Sequence, residues 1–353
     1  MSVETDPRVR ETYRSIKRAR RIRAVGYGAL VAVVAYLFYS ALVAIDWFGT
    51  SRYYGAFGDA VMDFFPFIVS EPPFVDPSGV REYGAFIHDR ELIYDVELLE
   101  ELSSPTADPV AFLVELPGFV ATVLTAGGGP LVLFGVAGTT LSMAVAGTVI
   151  GFPFALLFGI LGSERVTPFP FNFVFRGVMS MIRAIPALVW ALIFVPLSGL
   201  GPVTAMIAIA VDTVGNLGRL FVDELEEIED GPIEAMETTG ASRPQTIVFG
   251  MLSQVHTSFI AWTLYIFEIN VRIAVSLGII GGGGLGLVLA TQIDLFAFTE
   301  AMATILVILV LIISVELFSQ RIRARIRADE SEPGSLWELL KGFPRRMVES
   351  LAK

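Results

Sequence analysis

The sequence predicts an all-α bundle of about six membrane-spanning helices, and three observations carry that prediction. Hydrophobic residues make up 54% of the 353 positions without counting 33 glycines, and only 17% are charged, where an ordinary soluble domain carries about 25%. Mean hydropathy is +0.67. Six apolar runs are long enough to cross a bilayer, and the arginines gather at the two ends of the chain. A soluble enzyme is excluded by composition, since this much apolar surface must meet lipid or other helices. With no cysteine, disulfides, thiolate nucleophiles and Cys-ligated zinc are excluded too.

The spans follow in order. Ala24–Ile45 holds 22 residues without a charge, long enough to cross at about 1.5 Å per residue. The others are Leu131–Leu161, Val178–Leu197, Val203–Val222, Val255–Leu277 and Thr299–Ser319. Val110–Thr125 is apolar but short and interrupted by Glu115 and Pro117, so it reads as an interfacial segment or a lead-in to the second span. An even number of spans puts both termini on one side. Arg8, Arg10, Arg14, Lys17, Arg18, Arg20, Arg21 and Arg23 precede the first span, and Arg321, Arg323, Arg325 and Arg327 follow the last. Both ends are therefore expected on the cytoplasmic side of a cell membrane. The basic start is read as an uncleaved anchor, because the apolar run exceeds a signal-peptide core of about 7–15 residues.

These features divide the chain into a basic N-terminus (1–23), a first span (24–45), an acidic external loop (46–130), a core (131–327) and a cytoplasmic amphipathic tail (328–353). The loop carries 14 acidic residues between Asp46 and Glu115 against Arg52, Arg81 and Arg90. Within it, Arg52–Val69 reads as an interfacial helix with an aromatic belt, and Glu71–Asp108 as a small helical cap. His88 has no partner visible in the sequence, and His256 reads as interfacial. The net charge is −11 and 22 of the 25 basic residues are Arg, a balance that suits a host with high internal salt.

Catalytic and nucleotide motifs are missing. The sequence has no G-x-x-x-x-G-K-[ST], no G-x-S-x-G and no H-E-x-x-H. GGGGLG (Gly281–Gly286) formally fits a dinucleotide fingerprint but lies between membrane segments, so Gly281, Gly282, Gly283, Gly284 and Gly286 read as a tight backbone bend or a close helix contact. No cofactor, metal or nucleic-acid partner is expected.

Polar residues inside the spans are the candidates for a translocation path or gate. Glu268 and Arg272 are four apart and share a helix face, with Asn270 turned partly away. Arg183 precedes Pro186, which would bend the third span. One reading gives Glu268, Asn270, Arg272 and Arg183 a role in passing an anion. The other gives an ion pair that fixes packing, with Arg183 snorkelling to the inner interface. Asp212, Asn216 and Arg219 form a further stripe that suits interhelix bonding.

Between the fourth and fifth spans lies DELEEIEDGPIEAMETTGASRPQTIVFGMLSQ (223–254), read as a helix–turn–helix beneath the bilayer. It resembles the EAA motif of ABC importer permeases. Glu234, Ala235 and Gly240 match, Met236 replaces the second Ala, and Ser253 stands where the family has Pro. WTLYIFEINVRIAVSLGIIGGGGLG (Trp262–Gly286), MIRAIPALVWALIFV (Met181–Val195) and GLGP (Gly199–Pro202) resemble the phosphonate permeases within that family, most specifically at Glu268–Arg272. The match covers roughly Leu131–Arg327. Asp212 stands where a His is expected, and the acidic external loop is longer than the usual linker.

The resemblance implies a type I ABC importer permease-like fold and transport of phosphonate-like organophosphorus anions, with no enzymatic activity in this chain. It also implies a homodimer in the lipid bilayer, an external substrate-binding protein and two copies of an ABC ATPase subunit. Glu234, Ala235 and Gly240 would couple to that ATPase. A permease for another small solute (phosphite, phosphate or methionine) is the alternative, ahead of a secondary transporter.

Overall fold

The computed structural model describes residues 7–46, 54–68, 76–96, 99, 109–125 and 129–329. The amphipathic segment Ser335–Lys353 lies outside them. The chain divides into two units, 1–59 and 60–353. The first contains α1 (Pro7–Ala44), whose apolar part runs from Arg20 to Ala44. Helix α2 (Tyr54–Phe64) falls in the aromatic stretch and runs across the division.

In the second unit, α3 (Pro77–Asp89) begins where Asp76 accepts a hydrogen bond from the Ser78 amide at 2.9 Å, with Pro77 at the first helical position. The Ser78 hydroxyl and amide hold the Asp76 carboxyl below its usual value. His88 does have a partner: its Nδ1 lies 2.8 Å from the Tyr94 hydroxyl, a contact that a turn brings together and that single residues in sequence do not announce. Helix α4 (Pro109–Thr125) is the short apolar segment, with Pro117 inside it.

The bundle consists of α5 (Gly135–Gly162), α6 (Phe171–Ala184), α7 (Ala187–Ser198), α8 (Pro202–Glu226), α9 (Asp230–Thr238), α10 (Leu252–Leu277), α11 (Gly284–Asp294) and α12 (Phe298–Asp329). Among the described residues five helical stretches are long and apolar enough to cross a membrane, or six if α6 and α7 together form one span. The segment after α3 closes the N-terminus of α5: the Val136 and Ala137 amides donate to the carbonyls of Glu91 and Leu92, and Leu92 is fully buried.

Between α5 and α8 the packing is closest. A Cβ added at Gly151 would sit 2.7 Å from the Ala210 carbonyl and 2.7 Å from Thr213 Cβ, so only glycine lets these backbones approach. Lipid gives helices no hydrophobic reason to associate, so such contact is what holds them. Further inward, Phe221 of α8 stacks on Phe259 of α10 with ring centroids 4.0 Å apart.

The expected continuous third span, Val178–Leu197, is instead two helices bent by 92°. Pro186 has no amide to offer, and the residue before it, Ile185, is pushed to extended geometry (φ −102°, ψ 118°). The freed Ile182 carbonyl is taken by the Ile185 amide at 3.2 Å and the Trp190 indole at 3.3 Å. With those donors in place the bend becomes a break.

Candidate functional site

Three polar constellations occupy the bundle, and sequence reasoning placed residues in each. The first stands on α10. Glu268, 7% exposed, is bonded at Oε1 by Arg272 Nη2 at 2.9 Å and at Oε2 by Arg323 Nη2 at 3.4 Å. Arg272 also lies 3.6 Å from Glu316 Oε2 on α12. Two carboxylates and two guanidiniums make a formally neutral quartet that ties α10 to α12. In sequence Arg323 reads as part of the basic flank and Glu316 as a lone acid in an apolar run; their spacing with Gln320 (i, i+4, i+7) is the signal that places them on one face.

Asn270 does not share this face. It is 1% exposed and donates from Nδ2 to Thr148 Oγ1 of α5 at 2.8 Å and to Thr213 Oγ1 of α8 at 2.9 Å. It therefore packs three helices together and is not gathered with Glu268, Arg272 and Arg183. The two threonines carried no signal in sequence, because threonine is common in spans.

The second constellation lies at the break. Arg183 is twelve residues into α6, about 18 Å along its axis from Phe171. It therefore does not lie beside the 163–170 loop. It is exposed and donates from Nε to Asn216 Oδ1 at 3.3 Å, while Asn216 Nδ2 donates to Asp212 Oδ2 at 2.9 Å. Arg219 completes the stripe by pairing with Asp223 at 2.9 Å.

The third is the helix–turn–helix. Helix α9 carries Glu234 and Ala235, both exposed, and the turn after it uses Gly240 at φ +75°. Left-handed backbone of this kind favours glycine. The Ser242 and Gln245 capping box starts the return, which winds through a π-helical segment (Thr246–Met251) into α10. Beyond α10 the glycine cluster turns the chain: Gly281, Gly283 and Gly284 have φ of +101°, +95° and +64°. At Gly286 a Cβ would lie 2.0 Å from the Val275 carbonyl.

At the end of the bundle where α5 begins, an open cleft of about 700 Å³ between α5 and the start of α8 is lined by Glu91, Asp95, Thr139, Ser142, Met143 and Met206 among others. Its lining is largely apolar, with two carboxylates and two hydroxyls and no cation. Among the described residues no cluster of His, Asp or Glu could hold a metal ion.

Residues 151–328 match the family of binding-protein-dependent transport system inner membrane components. The chain belongs to this family. It is 36% identical over 152 residues to the phosphate-import permease protein PhnE of Mycolicibacterium smegmatis, covering 43% of this chain and 29% of that protein. It is 41% identical over 78 residues to a putative cryptic phosphonate transport system permease protein, PhnE2, of Escherichia coli K12, covering 22% of this chain and 64% of that one. The chain thus spans less than two thirds of the length of these relatives. In fold it is similar to an inward-facing structure of the MetNI methionine ABC transporter, with a TM-score of 0.50 and 19% identity over 54% of this chain and 94% of that one. The chain is therefore an all-α, multi-pass inner membrane component with a type I importer permease fold.

Proposed function

We propose that this permease is the membrane subunit of an ATP-driven importer for phosphonate-like anions. It works as a homodimer with two copies of a separate ATPase and an external binding protein, and both termini face the cytoplasm. The observation that carries the reading is α9 with its Gly240 turn: an exposed, nine-residue helix bearing Glu234 and Ala235 on the same end of the bundle as the 163–170 loop. Such a helix suits docking into a partner that hydrolyses ATP. The substrate class is supported by the Glu268–Arg272 signature and by the phosphorus oxyanions named in its relatives.

Charge within the bundle supports a path that does not trap its solute. Arg272, Arg183 and Arg219 each have a carboxylate or amide partner in this conformation, and Glu91 and Asp95 line the cleft at the start of α5. Among the described residues no cluster of unpaired cations lines the bundle, which suits a choice of solute made by the binding protein. Alternating access then needs only small rearrangements of ion pairs that are already balanced.

Reconstituting the chain in vesicles with its ATPase and binding protein tests the reading. ATP-dependent uptake of methylphosphonate is expected, with none for the chain alone. Uptake by the lone chain would replace this reading with a secondary transporter.

A further inference from the structure

Helix α9 has no fully buried residue; Ile233 packs against the cluster of Leu225, Ile228 and Met251, and Met236 lies over Gly250. Polar ties join this shallow packing to the ends of the neighbouring helices. Arg165, in the loop between α5 and α6, donates from Nε to the Glu226 carbonyl ending α8 at 3.2 Å. Its Nη1 reaches Asp230 Oδ1 in the first turn of α9 at 2.6 Å. Each contact opposes the charge at a helix end: a cation at the C-terminus of α8, an anion at the N-terminus of α9.

A second arginine locks the same corner. Arg176 of α6 pairs closely with the Glu226 side chain and lies 3.5 Å from Glu164. Its Nε donates to the carbonyl of Gly162, the last residue of α5, at 2.7 Å. The Glu164 amide donates to Glu226 Oε1 at 3.3 Å. From beyond the Gly240 turn, Arg243 Nη2 reaches the Val166 carbonyl at 2.9 Å. The 163–170 loop is thus held from both arms of the helix–turn–helix.

Asp230 is 73% exposed, and a lone pair of that kind contributes little. Arg176 and Glu226 are only 22% and 31% exposed, and their backbone bonds add direction. Three cations and three anions balance, so the node joins elements without attracting a ligand.

We propose that Arg165 and Arg176 are positioning residues that fasten α9 to the inner ends of α5, α6 and α8, so that a push on α9 moves the three spans together. The proposal rests on α9 being the ATPase-docking helix. The chain has no cysteine, so spin labels at Phe173→Cys and Thr238→Cys, diluted with unlabelled chain so that an assembly carries one labelled copy, report the α6–α9 distance within one chain.

In the Arg165→Ala, Arg176→Ala double variant that distance should broaden. ATP hydrolysis by the assembled complex should stay within about twofold of wild type, while uptake per ATP falls about tenfold. The solute is whichever of methylphosphonate and phosphite the wild-type assembly takes up. Asp230→Asn, which changes one exposed side chain, should show a smaller fall in the same ratio and guards against a double variant that does not fold. Unchanged uptake per ATP in both variants, or an unchanged distance, overturns the latch. A wild-type assembly that takes up neither solute overturns the transport reading instead, and the distances alone then decide the latch.

Discussion

Asn270 on α10 and Thr148 on α5 are 122 residues apart, and the amide of one donates to the hydroxyl of the other at 2.8 Å. The geometry fixes the direction of every bond. Thr148 gives its proton to the Ala144 carbonyl at 2.7 Å, and Thr213 gives its own to the Ile209 carbonyl at 2.7 Å. Both hydroxyls can therefore only accept from Asn270, whose two amide protons are used while Oδ1 has no partner among the described residues. One side chain thereby closes the junction of α5, α8 and α10.

Removing either acceptor should loosen that junction. Thr148→Val or Thr213→Val leaves one amide proton buried and unpaired, at a cost of about 1 kcal/mol, the usual scale for polar contacts between membrane helices. Adding Asn270→Leu to both removes the orphaned groups together, so the triple variant should lose less than the sum of three single changes. Thermal unfolding in detergent measures this. Additive losses would mean that the three side chains do not act as a unit.

Gly240 offers a cleaner test of the inner turn, because nothing lies within 4 Å of an added Cβ there. Any effect of Gly240→Val is then backbone strain at φ +75°, about 1 kcal/mol or more, and not a clash. The variant should keep the stability of the membrane helices but co-purify less of the ATPase. Full retention of ATPase would mean that the turn geometry is dispensable for docking.

The spans and the helix–turn–helix at 223–254 were legible because both rest on periodicity and on residues with a single physical use. An uncharged run such as Ala24–Ile45 has few fates, and a glycine such as Gly240 after a short amphipathic stretch marks a turn. The break at Pro186 was legible only as a bend, since its depth depends on whether the Trp190 indole and the Ile185 amide can satisfy the Ile182 carbonyl. Least legible were the polar partners. The sequence pairs Glu268 with Arg272 because they are four apart on one helix. Arg323 and Glu316 come to the same carboxylate and guanidinium from another helix, and no local rule reports that. Thr148 and Thr213 were hidden for the same reason.

Sidedness can be read directly with single cysteines in a chain that has none. Glu82→Cys on α3 and Glu237→Cys on α9 are both exposed positions. A membrane-impermeant maleimide should label the first in intact cells and the second only after the membrane is opened. The basis is the arginine flanks of the first and last spans, which orient short loops through the positive-inside rule. Labelling of position 237 in intact cells would invert the topology and remove α9 from reach of any ATPase.

The quartet on α10 and α12 separates packing from passage. Glu268→Gln alone leaves Arg272 and Arg323 facing each other with only Glu316 nearby, and should destabilise by about 3 kcal/mol. Glu268→Gln with Arg272→Met removes one charge of each sign, so net charge balances again, and the amide oxygen introduced at position 268 can still accept from Arg323. The double variant should therefore recover most of the lost stability, since a buried ion pair replaced by an apolar or neutral pair is often tolerated. Its uptake decides the role. Arg272 is 47% exposed while its carboxylate partner Glu268 is nearly enclosed, so the guanidinium is open to a passing anion. The neutral quartet argues against it: drawing Arg272 away to a solute leaves Glu268 with one arginine at 3.4 Å and Glu316 without its own. Near-normal ATP-driven uptake of methylphosphonate is the expected result. A folded double variant that assembles with its ATPase and transports nothing would return Arg272 to the path.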